Sequence, residues 1–117
     1  MGWFFSLWEM SCMVEISKQD WKMFRERIPG WQERYMERLI REYIDLLSSS
    51  ENAADRFWAL EKRIRQDKKH LGVQIQMRRS TAIWDIATCV GDEVITMDEL
   101  DGFSEDLIDA VKLILSR

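Results

Sequence analysis

One proline and five glycines in 117 residues are too few for the many tight turns of a β-sandwich. That scarcity leaves room for long uninterrupted helices. Two cysteines, Cys12 and Cys89, supply neither a disulfide framework nor the paired spacing of a zinc site. The default expectation is therefore a reducing cytoplasm, with no metal and no cofactor. The single histidine, His70, removes most arrangements in which a nucleophile leans on an imidazole base. Phosphate-cradling glycine loops are absent from the sequence. Its apolar runs are too short to span a bilayer.

What remains is ordinary globular material. Hydrophobic residues make up 46% and charged residues 32%, too apolar for disorder and enough for one cored domain without staples. Six tryptophans and seven methionines are spread along the chain, as core residues are, rather than gathered into a cofactor box.

Residues 1–16 read as an apolar extension ahead of a helical domain, 17–117. Trp3, Phe4, Phe5, Leu7 and Trp8 would be sticky if exposed, which makes them candidates for an interaction or dimer contact. The stretch lacks the basic start of a secretory signal. Gly2 and Ser6 fit a myristoylation pattern, but bulky Trp3-Phe4-Phe5 is an unusual setting for it. Met13 is a second plausible start, with the preceding residues an extension.

The domain reads as all-α, about five helices. Ser17-x-x-Asp20 resembles a capping box and starts a helix presenting Trp21, Phe24 and Ile28. Pro29-Gly30 is expected to break it. A second helix over 30–48 carries Trp31, Tyr35, Met36, Leu39, Ile40, Tyr43, Ile44, Leu46 and Leu47 on more than half of its circumference. An apolar arc that wide predicts a central helix covered by several neighbours. A third helix, 53–70, has Phe57, Leu60 and Ile64 as its core stripe and closes at Gly72, suited to the left-handed conformation. A fourth covers 73–90, with Val73, Met77, Trp84 and Ala87 in one stripe. Its start also alternates like a strand, so a short β-hairpin of 73–77 with 93–97 is an alternative. Thr96 and Ser104 mark two helix starts in quick succession. The last helix, 105–116, buries Leu107, Val111, Ile114 and Leu115.

Charge is unevenly laid out. Residues 56–79 hold eight basic and two acidic side chains, and residues 80–117 hold two basic and nine acidic. On the third helix Lys62, Arg65 and Lys69 share an arc with Trp58, and Arg78 and Arg79 extend it. Cations around an exposed ring suit a nucleic-acid backbone with a stacked base. The same residues equally suit a solvated face paired with the acidic tail, a cation–π cluster, or an acidic protein partner. The acidic residues Asp92, Glu93, Asp98, Glu99, Asp101, Glu105, Asp106 and Asp109 miss the calcium-loop pattern, because Leu100 falls where a ligand is required. Helix first turns explain them better. A Cys89–His70 nucleophile pair has nothing to position it. The expectation is no enzyme and no catalytic residue.

The stretch Asp20-Trp21-Lys22-x-Phe24-Arg25-Glu26-Arg27-Ile28-Pro29-Gly30-Trp31, with Phe57-Trp58-x-Leu60, Met77-Arg78-Arg79-Ser80 and Ile95-Thr96-x-Asp98-x-Leu100-Asp101-x-Phe103-Ser104, resembles a small, uncharacterised helical protein family of Firmicutes. Its members often lie in mobile elements and are sometimes labelled multidrug transporters. The similarity covers about residues 18–116 and implies no catalytic residue. The transporter label has no membrane span here to support it. Together these readings favour a protein-interaction or regulatory module whose partner is a protein or a second copy. The alternative is a nucleic-acid-binding regulator using Trp58, Lys62, Arg65, Lys69, Arg78 and Arg79.

Overall fold

The computed structural model describes residues 15–116. The contact candidates Trp3, Phe4, Phe5, Leu7 and Trp8 lie outside these residues. Among those described there are four α-helices: α1 (Lys18–Leu47), α2 (Ala53–Asp67), α3 (Ala82–Gly91) and α4 (Glu105–Leu115). Two short 3-10 turns, Arg79–Thr81 and Met97–Leu100, precede α3 and α4. The all-α expectation holds, whereas the five-helix count and the β-hairpin do not.

The missing fifth helix is the break that Pro29 does not make. Residues 18–47 form one continuous helix with Pro29 inside it. A proline there forgoes one backbone hydrogen bond and crowds the preceding turn, about 3 kcal/mol in a helix interior. Phe24, Ile28 and Trp31, at i, i+4 and i+7, are all buried, so one buried stripe runs past the proline. Pro29 and Gly30 face solvent. Even so, the chain divides there into two compact units: residues up to Pro29 with those from Met77 onward, and Gly30–Gln76.

The first unit has a dense core. Ile16, Phe24 and Ile28 are buried, as are Ile83, Ile86, Ala87, Cys89, Val94, Ile95, Leu100, Phe103, Leu107 and Val111. Helices α3 and α4 pack on one another. Two polar clamps from one face of α1 fix the 99–104 loop. Asp20, almost fully buried, accepts from the Ser104 backbone N–H (3.0 Å) and from its hydroxyl. The Ser104 oxygen in turn accepts the Leu107 N–H and caps α4. Two turns along, Arg27 donates to the carbonyls of Glu99 (3.0 Å) and Asp101 (2.8 Å) and lies over the Phe103 ring. Gly102 sits beneath it at φ 96, where a Cβ would also meet the Arg27 guanidinium at 2.9 Å. Ser17 does cap α1 through the Asp20 N–H. The Asp20 carboxylate, expected to return to the cap, is spent on Ser104 instead.

Backbone hydrogen bonds show why the hairpin does not form. The N–H groups of Val94 and Ile95 both reach the Cys89 carbonyl and wrap the end of α3, with Glu93 between at φ 62. Val73 and Gln74 both donate to the His70 carbonyl. Residues committed to turns cannot alternate across a ladder. The fourth helix begins at Ala82 rather than near 73, after irregular residues 74–78 and the Arg79–Thr81 turn. At the last helix Leu107 and Val111 are buried as expected, but Ile114 is only half-buried and Leu115 is exposed.

Candidate interaction face

Within Gly30–Gln76 the 30–47 part of α1 and helix α2 form a hairpin. Asn52 opens α2 by accepting the Asp55 N–H at 2.8 Å. The seam between the helices is mostly polar. Tyr43 donates its hydroxyl to Asp67. Arg63 pairs with Glu42 (3.0 Å) and Asp67 (3.6 Å) and lies over the Tyr43 ring. Arg56 donates to the Leu47 carbonyl at 2.9 Å, and Gln32 to the Leu71 carbonyl at 3.0 Å. Burial, then the carboxylate of Asp67, pushes the Tyr43 phenol up to about 12.

The turn after α2 is closed by an aromatic stack. Tyr35 and His70 stack with centroids 5.2 Å apart, and His70 Nδ1 accepts the Gly72 N–H. Gly72 was expected to take the left-handed conformation. It does not, Gly102 being the positive-φ glycine among the described residues. Its role is space, since a Cβ there would fall 2.5 Å from the Tyr35 ring.

Beside these polar contacts, several large apolar side chains remain exposed. Not one residue of α2 is buried. Phe57 is 62% exposed and Trp58 64%; Ile40, Ile44, Leu47 and Ile64 are exposed too. In residues 30–76 the buried side chains are Trp31 and Leu39. This corrects two expectations: Phe57 and Ile64 are not a core stripe, and the wide apolar arc of 30–48 is not covered on all sides. Of the exposed apolar residues, Ile40, Phe57 and Ile64 line two grooves. One is formed by Phe57, Leu60, Glu61, Ile64, Arg65 and Lys68. The other lies among Met36, Leu39, Ile40, Tyr43, Ile64 and Val73, bordered by Asp67 and Lys68. Ile64 and Lys68 belong to both, so the two make one strip.

The six basic and aromatic candidates are divided between the units. Trp58, Lys62, Arg65 and Lys69 are exposed in the hairpin unit, and Trp58 stands edge-on to Phe57. Arg65 is held by Glu61 at 2.6 Å. Arg78 and Arg79 belong to the other unit. There Arg79 donates to the Ile16 carbonyl at 3.0 Å. The ion-pair partners of Arg63 and Arg65 come from residues 42–67, not from the acidic tail. Cation–π contacts form at Trp21, Tyr35, Tyr43 and Phe103.

Elsewhere, Asp98, Glu99, Glu105 and Asp106 occupy first turns, where the helix dipole favours acids. Cys89 is fully buried, and burial pushes its thiol up to about 12. That is the behaviour of a packed thiol rather than a nucleophile. Among the described residues no group of three or more His, Cys, Asp or Glu side chains is placed to hold a metal ion, and no helix is long and apolar enough to cross a membrane. Comparison with protein-family models, with curated proteins and with solved structures found no match.

Proposed function

We propose that the chain is a non-enzymatic interaction module that docks a protein partner on the exposed face of its 30–76 hairpin. One observation carries this reading: α2, fifteen residues long, buries none of them, while Phe57 and Trp58 stand more than 60% exposed. Aromatic and aliphatic side chains gathered on one surface are the usual anchors of an interface. Their solvation also costs free energy that a partner would recover, roughly 25 cal/mol for each Å² covered. The mobile-element setting implied by the resemblance is compatible with a small adaptor of this kind.

The test is comparative capture. Wild type and a folded Phe57→Ser, Ile64→Ser variant are used as baits in an extract of the source cell. A partner recovered by the wild type and lost with the variant is the expected result. Identical recovery from both baits overturns the reading.

A nucleic-acid reading draws on a separate observation, exposed Trp58 beside Lys62 and Arg65 at i, i+4 and i+7 on α2. It predicts binding to labelled DNA or RNA that weakens steeply with salt and disappears when Lys62, Arg65 and Lys69 become Glu. Absence of binding at low salt removes it.

A further inference from the structure

Apart from the apolar strip, α2 carries a second exposed edge, and we infer that this edge is a track for single-stranded nucleic acid. The inference rests on the nucleic-acid reading above and names the form of nucleic acid that face takes.

Helical spacing builds the edge. Trp58, Lys62 and Arg65 stand at i, i+4 and i+7 on α2, and Lys69 follows in the turn just beyond it. Side chains so spaced lie one above another on a single face. From Trp58 to Lys69 the stripe is about 16 Å long at the helical rise. All four side chains are exposed. Arg56, Arg63 and Asp67, which reach α1, stand on the opposite side of α2.

The cations of this stripe are little used within the chain. Lys62 and Lys69 form no ion pair among the described residues. Arg65 meets Glu61 at 2.6 Å, but the two side chains are 63% and 46% exposed. A pair so wet contributes little, and a phosphate can replace the carboxylate. The other acids of α2 lie elsewhere. Asp67 is engaged by Tyr43 and Arg63, and Asp55 stands in the first turn, ahead of Trp58.

Each end of the stripe offers a place for a base. At one end the Trp58 ring is 64% exposed and stands edge-on to Phe57 at 5.0 Å. At the other lies an open hollow of about 360 Å³ lined by Lys69, Gln74, Ile75 and Gln76. Side-chain amides donate and accept, as base edges do, and Lys69 sets a charge beside them.

The ring decides between occupants. In a duplex the base faces are already stacked on one another, whereas a single strand brings a free face to Trp58. An acidic peptide would use the lysines and leave that ring without a stacking partner. A lipid surface would find one large apolar side chain on this edge, too little to anchor a helix.

The test measures fluorescence anisotropy of labelled probes with the full chain, at low and physiological salt. The probes are oligothymidylate, oligouridylate, a DNA duplex of the same length and a poly-glutamate peptide. Both single strands are expected to bind, to weaken as salt rises, and to bind at least about tenfold tighter than the duplex. Trp58→Ala should weaken them about tenfold, as loss of a stacked base does, and leave the duplex unmoved. Trp58→Phe, which keeps a ring, should recover part of that loss. Gln74→Ala with Gln76→Ala should weaken the single strands roughly fivefold. Ile40→Ser, on the apolar strip, should change nothing. Equal binding of single strands and duplex, with Trp58→Ala silent, overturns the inference while leaving the nucleic-acid reading standing. Binding of no nucleic acid at low salt overturns both. Poly-glutamate bound as tightly as the single strands assigns the stripe to an acidic protein and overturns the inference.

Discussion

The two units of this chain treat the same residue types in opposite ways. Up to Pro29 and from Met77, the apolar side chains go inside and the polar ones lock the perimeter, as Asp20 and Arg27 do on the 99–104 loop. In 30–76 the polar residues Tyr43, Arg63 and Asp67 occupy the helix seam, and Ile40, Ile44, Phe57 and Ile64 remain outside. A core hides apolar surface to stabilise the fold. A face that leaves it in water keeps it for something else. Stability should therefore be concentrated in the first unit and binding in the second.

The largest expected contrast is at Phe24, which has no exposed surface. Phe24→Ala should lose about 3–5 kcal/mol in urea unfolding; a loss under 1 kcal/mol would mean that the first unit is not the stable one. Next is pH. The Cys89 thiol, raised from 9.0 to about 12 by burial, holds its proton more tightly folded than unfolded. Its contribution is complete below pH 9 and is lost as pH climbs through about 12. Cys89→Ala should flatten the alkaline fall in stability over that window, and an unchanged fall would assign it elsewhere. Tyr43 adds a similar loss between 10 and about 12. A smaller effect, of opposite sign, belongs to Gly30. It lies inside continuous α1, and a Cβ there meets nothing within 4 Å. Gly30→Ala should therefore raise stability by about 0.5–1 kcal/mol. Destabilisation would show that the helix is interrupted where the units divide.

Much of the fold was legible from periodicity and caps. Ser104 and Asn52 begin helices where polar residues precede apolar stripes, and the all-α class follows from scarce glycine and proline. Pro29-Gly30 misled because the buried stripe Phe24, Ile28, Trp31 continues past it, a cooperative gain that local propensity does not contain. The surface of α2 was illegible for a related reason. A stripe such as Phe57, Leu60, Ile64 is the same whether a neighbour covers it or not. The signal that was present lay on the adjacent face, where Arg63 and Asp67 at i, i+4 match Glu42 and Tyr43 on α1 and take up the seam. The Asp20–Ser104 and Arg27–loop clamps join residues more than seventy positions apart, beyond the reach of any local pattern.

The central claim is that the hairpin face is uncovered, and Ile64 is shared by both of its grooves. The most direct measurement is the unfolding free energy of Ile64→Glu in urea, with the wild type alongside. Ile64 keeps 39% of its surface exposed, so a charge there should cost no more than about 2 kcal/mol, the loss of a partly covered side chain. A loss of several kcal/mol would mean that Ile64 is buried in the protein as it exists in solution, and the docking face with it.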